Sequence, residues 1–347
     1  MSDTQSPLAR FSPLPAMQSW LSASSAALAA GWNRFWFSPQ DPASLAVIRI
    51  GVGLLLAYSQ LVWAMNSQDF FGATSWLNEP AVAALRNDGY SWSPLWWIDD
   101  SPMLLGLTHA VATISALCLA AGLFTRTSAC LSFVFVVSYA SRNPAALYGF
   151  DQVVGFLTLY LAIGPSGAFL SVDDLLAEPR DQHGDQPSIS ANVALRLMQS
   201  HLCLLYLFAG LAKLKGVTWW NGFAMWGTVA NLEYQTVDLT WLANWPLLIN
   251  LLTQVTVFWE VSYCVLIWNR HTRPLMQALA IPVHLGIAVC FGMLTFGLAM
   301  LVANVAFVRP ELIRRLLRVL THEPPRSQLH RPLTRLHQPD EDLASVA

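Results

Sequence analysis

The stretch NVALRLMQSHLCLLYLFAGLA, Asn192 to Ala212, closed by Lys213-Leu214-Lys215, decides the fold. Wound as a helix it is about 31 Å long, and a bilayer's hydrocarbon layer is about 30 Å thick. Its apolar content is that of a membrane span. Within it, Arg196, Gln199, Cys203, Tyr206, Gly210 and Lys213 recur at alternating steps of three and four, which stacks them on one helix face. A stripe with polar ends on an otherwise apolar helix belongs against other helices, lining a groove from one membrane side toward the other.

Working outward, similar runs cover the chain. Eight spans are expected, at about 43–65, 103–123, 128–141, 150–164, 192–212, 245–268, 274–291 and 293–309. The third and fourth are short and parted by Arg142-Asn143-Pro144, so they break or tilt. The last two share one apolar stretch from Leu275 to Arg309, with a bend near Gly292. Trp20, Leu21, Leu28, Trp32, Phe35 and Trp36 among Ser, Ala and Arg predict an interfacial helix before the first span. The expected organisation is an N-terminal segment 1–40 without a secretory signal, a transmembrane domain 41–309 and a largely disordered cytoplasmic tail 310–347. The fold class is all-α, a polytopic helical bundle.

Bulk composition agrees. Of 347 residues 54% are hydrophobic and 12% charged, where soluble domains carry about 25% charged residues. Mean hydropathy is +0.44. A net charge of −2 offers no basic surface for a phosphate backbone, so nucleic acid is not an expected partner; the lipid bilayer is. The five cysteines lie inside apolar runs with no CxxC spacing, and read as small core residues. No metal module is present in the pattern. The abundance of Arg, Ala and Leu, with only Lys213 and Lys215 as lysines, suggests a GC-rich bacterial genome and hence a bacterial inner membrane. With the N-terminus cytoplasmic, inside segments hold Arg10, Arg34, Arg126, Arg180, Arg270, Arg273, Arg309, Arg314, Arg315 and Arg318, against Arg86, Arg142, Lys213 and Lys215 outside. Both termini are therefore expected inside.

Ionisable groups within spans each cost about 2.5 to 3.5 kcal/mol on insertion scales, so each needs a partner or a purpose. Here they are Arg49, His109, Asp151, Arg196, His201, Glu260 and His284. Arg196 reads as snorkelling or paired with a carboxylate, and the histidines as hydrogen-bonded between helices. Glu260 reads either as an ion pair with Arg49 or Arg196 or as a proton-handling group. Lys213 either sends its ammonium to the interface or turns into a dry cavity as a neutral amine able to take a proton. The outer segments 66–102 and 214–244 carry Phe70, Trp76, Trp92, Trp96, Trp97, Trp219, Trp220, Trp226 and Trp241, as an aromatic belt or as a lid.

Several segments together resemble a known family. Tyr206-Leu-Phe-Ala-Gly-Leu-Ala-Lys213-Leu-Lys, followed by Trp219-Trp-Asn-Gly222, resembles the Y-x-x-A-G-x-x-K-L…W-x-x-G element of the membrane domain shared by vitamin K-dependent γ-glutamyl carboxylase and the bacterial HTTM (horizontally transferred transmembrane) proteins. Leu45-Ala-Val-Ile-Arg49-Ile-Gly51, Gly122-Leu-Phe-Thr-Arg126, Arg142-Asn-Pro-Ala-Ala-Leu-Tyr-Gly149 with Asp151, and Glu260 with His284 agree in order, over roughly 41–309. The resemblance implies a helical membrane domain holding an isoprenoid quinone or lipid-like molecule. It places Lys213 where the carboxylase has its base toward the hydroquinone, and the carry-over of roles stops there. The substrate-binding candidates in this sequence are Arg49, Asn143, Tyr148, Asp151, Arg196, Tyr206, Glu260 and His284. Two departures set limits. The carboxylase has a histidine after the asparagine of the Asn-x-x-x-Leu-Tyr-Gly element where this chain has Pro144, and it continues into a large lumenal portion, whereas this sequence runs 38 residues beyond Arg309. Protein glutamate carboxylation is therefore not expected. The rival expectation is a non-enzymatic membrane partner, scaffold or immunity-type protein acting through the outer aromatic loops; a transporter is disfavoured, no inverted repeat being evident.

Overall fold

The structure, a computed structural model, describes residues 13–72, 75–77, 80–81, 83–84, 92–98, 101–177 and 186–321. Arg10, Arg86, Arg180 and the tail beyond 321 lie outside them. Among the described residues there are helices and no strands. The first compact unit extends to Val308 and the second begins at Arg309.

In the first unit α1, Pro13–Phe37, precedes eight helices that fall on the eight expected spans. They are α2 Ala43–Met65, α3 Pro102–Ala121, α4 Thr125–Arg142, α5 Gly149–Ile163, α6 Ile189–Lys213, α7 Pro246–Leu266, α8 Arg273–Cys290 and α9 Leu294–Asn304. Five of them, α2, α3, α6, α7 and α8, are individually long and apolar enough to cross a membrane. Helix α5 has 15 residues and α9 has 11, each well short of about 20. Helix α4 has 18, but Thr125, Arg126, Thr127, Ser128, Ser132, Ser138, Ser141 and Arg142 dilute its apolar content.

Local chemistry sets the boundaries. Helix α6 starts at Ser188, whose hydroxyl accepts from the Ala191 amide at 3.2 Å, the usual serine cap. Helix α4 stops at Arg142 because Pro144 cannot continue it, and a 3₁₀ turn over Pro144–Ala146 leads to α5. The bend expected near Gly292 is a full reversal. That glycine sits at φ +68°, and α8 and α9 return against each other, with Gly297 packed on Ala288 and the His284 carbonyl.

The main core joins α2, α5, α6, α7 and α9 through Leu45, Ile48, Leu157, Leu202, Tyr206, Trp259 and Met300. A second cluster of Phe71, Leu95, Leu105, Ala112 and Tyr139 packs segments of the 66–102 connection onto α3 and α4. The unit beginning at Arg309 contains one described helix, α10, Pro310–Thr321.

Candidate functional site

Helix α6 turns its polar stripe inward. Cys203, Tyr206 and Gly210 are buried, while Leu204 and Phe208 on other faces are exposed. At Gly210 an added Cβ would lie 2.7 Å from Val261 Cγ2 and 3.2 Å from Glu260 Cβ. The missing side chain lets α6 and α7 approach closely, as small residues do between membrane helices. One turn further on, that approach delivers Lys213 to Glu260.

Lys213 Nζ donates to both carboxylate oxygens of Glu260, at 2.8 and 2.7 Å. The lysine side chain keeps 25% of its surface and the glutamate side chain 10%. Nζ also lies 5.4 Å from the centre of the Trp219 ring. An ammonium has three N–H donors; two are spent on the carboxylate, leaving one for the lipid- or water-facing side. Glu260 is thus paired with Lys213, not with the expected Arg49 or Arg196.

Beneath the pair lies a hydrogen-bonded chain linking α6 to α9. The Tyr206 hydroxyl lies 2.6 Å from His284 Nε2, Asn304 Nδ2 donates to the Tyr206 oxygen at 2.9 Å, and the Tyr263 hydroxyl donates to Asn304 Oδ1 at 2.6 Å. Tyr206, Tyr263, His284 and Asn304 are all buried. In a low-dielectric interior such a chain fixes helix register, because breaking one link strands its neighbour. Sequence reasoning named Tyr206 and His284 but passed over Tyr263 and Asn304. An asparagine inside the apolar run 294–308 was the available signal.

The remaining candidates lie elsewhere. Arg49 is fully buried at the opposite end of the bundle, its Nη2 donating to the Leu170 carbonyl at 2.5 Å. Arg196 donates to the Phe35 carbonyl at 3.2 Å and to Gln199 Oε1 at 2.9 Å, with its guanidinium 4.4 Å from the Phe35 ring centre. It thereby ties α1 to α6. Asn143 Nδ2 donates to the Phe70 carbonyl at 2.9 Å. Asp151 accepts from the Tyr148 amide at 3.1 Å, capping α5, and the Tyr148 hydroxyl bonds Thr295. His109 lies 3.0 Å from the Tyr139 hydroxyl, and His201 lies 3.1 Å from that of Tyr160, as interhelical bonds. Of the expected set, the fold brings together Lys213, Glu260, Tyr206 and His284.

Two hollows lie away from this group. One of about 380 Å³ runs between α2 and α3 along Leu61, Gly106 and His109. Another of about 310 Å³ is lined by Thr125, Ser166 and Asp173. Among the tryptophans of the 66–102 and 214–244 segments, Trp96 is buried, whereas Trp76, Trp92, Trp97, Trp220 and Trp241 are exposed. No group of three or more His, Cys, Asp or Glu among the described residues could hold a metal.

Helices long and apolar enough to span a bilayer define a multi-pass helical membrane protein, and at the end of one of them Lys213 pairs with Glu260. The chain belongs to the HTTM domain family, whose pattern matches residues 37–312. That range takes in every helix from α2 to α9. No curated protein and no solved structure matches the chain.

Proposed function

We propose that this HTTM-family protein binds an isoprenoid quinone or a similar lipid-soluble molecule against the Lys213 end of α6, and that the Lys213–Glu260 pair takes a proton from it. The setting we propose is a bacterial inner membrane, with both termini cytoplasmic and Lys213 toward the outer face, following the arginine distribution. The observation that carries this reading is the pair itself: a cation held by a carboxylate 2.7 Å away, with one donor left over and a tryptophan ring beside it. Across that distance the ammonium proton passes to the carboxylate, leaving a neutral amine and a neutral acid. The amine then accepts the O–H proton of a bound quinol. The products are a quinolate, an ammonium beside it and a protonated Glu260, so charge and protons balance. The Trp219 face supplies a flat apolar surface for a ring. Protein glutamate carboxylation is not part of the proposal, since Pro144 stands where the carboxylase has a histidine.

The test is purification in mild detergent followed by lipid extraction and chromatography of quinones, for wild type and Lys213→Ala. The expected result is quinone retained in proportion to protein, reduced roughly ten-fold in the variant, the loss appropriate to a hydrogen bond from a charged donor. Absence of enrichment in both proteins overturns the reading. The exposure of Trp220 and Trp241 favours a second reading, a non-enzymatic partner or immunity-type protein working through the outer loops. It requires Lys213→Met to be silent and Trp220→Ala to abolish function.

A further inference from the structure

Helix α10 reads PELIRRLLRVLT. At 100° per residue its charged and apolar residues separate cleanly. Glu311, Arg314, Arg315 and Arg318 fall within one arc and Leu312, Ile313, Leu316, Leu317 and Val319 within the opposite one. Leu312, Leu316 and Val319 follow one another at i, i+4 and i+7, and they are 49%, 54% and 68% exposed. Three adjacent, exposed, large apolar side chains on a charged helix form a strip that water does not favour. Arg315 and Arg318 flank the strip and are exposed as well.

We propose that α10 lies in the plane of a membrane surface and docks on anionic phospholipid headgroups. The apolar strip is about two turns long, matching an interfacial helix that sinks its side chains 5–10 Å to the headgroup–acyl boundary. The flanking guanidiniums then stand at phosphate depth, where forked donors meet phosphate oxygens in pairs. Charge complementarity decides the occupant. With Arg314 included, three arginines oppose the single acid Glu311, and each basic residue near an anionic surface strengthens binding roughly five-fold. A zwitterionic surface offers the same apolar boundary without that gain.

The experiment is amide hydrogen exchange of the full-length protein in nanodiscs of phosphatidylcholine alone and in discs containing phosphatidylglycerol. The expected result is exchange over residues 311–319 slowed by roughly an order of magnitude in the anionic discs, two arginines' worth. The difference should shrink at high salt and disappear in Arg315→Gln/Arg318→Gln, while exchange in α2 and α6 stays unchanged and reports an intact fold. Equal exchange in the two discs, or a difference surviving in the double variant, overturns the proposal and assigns the strip to a protein surface instead.

Discussion

Arg49 and Lys213 are both cations on apolar helices, at opposite ends of the bundle, and the protein neutralises them differently. Arg49 is fully enclosed and gives Nη2 to the Leu170 carbonyl. Asp173, whose carboxylate feels its charge, is occupied with the Phe124 and Thr125 amides at 2.8 Å each and with the Thr125 hydroxyl at 2.7 Å. Lys213 meets a carboxylate directly and keeps a quarter of its side chain accessible. A carbonyl can hold a cation but cannot take its proton, and a guanidinium does not release one. A carboxylate hydrogen-bonded to an ammonium is a base within reach of its protons. The Arg49 end therefore fixes the turn between α3 and α4, while the Lys213 end holds a direct ammonium–carboxylate pair, where we place the proposed proton transfer.

The largest effect that bears on this contrast is expected at Gly122. It sits at φ +72°, and an added Cβ would collide with the Arg49 guanidinium and the Ser171 side chain. Gly122→Ala should cost about 3–5 kcal/mol through strain and displacement of a buried cation, seen as loss of monodisperse folded protein on heating in detergent. A tolerated alanine would break the claim that Arg49 is held rigidly.

The pair comes next. Lys213→Met and Glu260→Gln should each destabilise by about 3 kcal/mol because each strands a partly buried partner. The double variant should lose much less than the sum, giving a coupling of about 2 kcal/mol in thermal or denaturant unfolding. Lys215→Met, at an exposed position, should change stability by less than about 0.5 kcal/mol. Additive losses at 213 and 260 would erase the difference between the two ends.

The smallest effect concerns Asp173. Burial works against its carboxylate, but the Thr125 and Phe124 hydrogen bonds and the nearby Arg49 charge outweigh it and hold the pKa below the ordinary aspartate value. A depressed folded pKa contributes stability above the unfolded value and loses it as pH falls through the folded one. Wild type should therefore exceed Asp173→Asn by about 1 kcal/mol at neutral pH, as for a helix cap, and the two curves should converge in acid. Parallel curves down to low pH would remove Asp173 from the Arg49 end.

The positions of all eight bundle helices were legible, since each is an apolar run bounded by Pro, Gly, Ser or a charge, and period and length survive in sequence. The span count was less legible. Length in residues becomes depth in the bilayer only when tilt and neighbours are known, and α5 and α9 are short helices embedded among longer ones. Lys213 and Glu260 were visible as costly groups, but their pairing was not. Forty-seven positions separate them, and Glu260 had Arg49 and Arg196 as equally plausible cations on charge alone.

Composition and periodicity by themselves determined a membrane-embedded all-α chain, the face that α6 turns inward, and the groups that could not be left unpaired in lipid. They suffice there because burial of apolar surface and satisfaction of backbone hydrogen bonds are local, periodic demands. Which cation meets which acceptor was decided only in three dimensions. The bare backbone at Gly210 brings α6 within reach of α7, so Lys213 meets Glu260 while Arg49 meets the Leu170 carbonyl. Pairing depends on ångström distances between helices, and those follow from packing rather than from the order of residues along the chain.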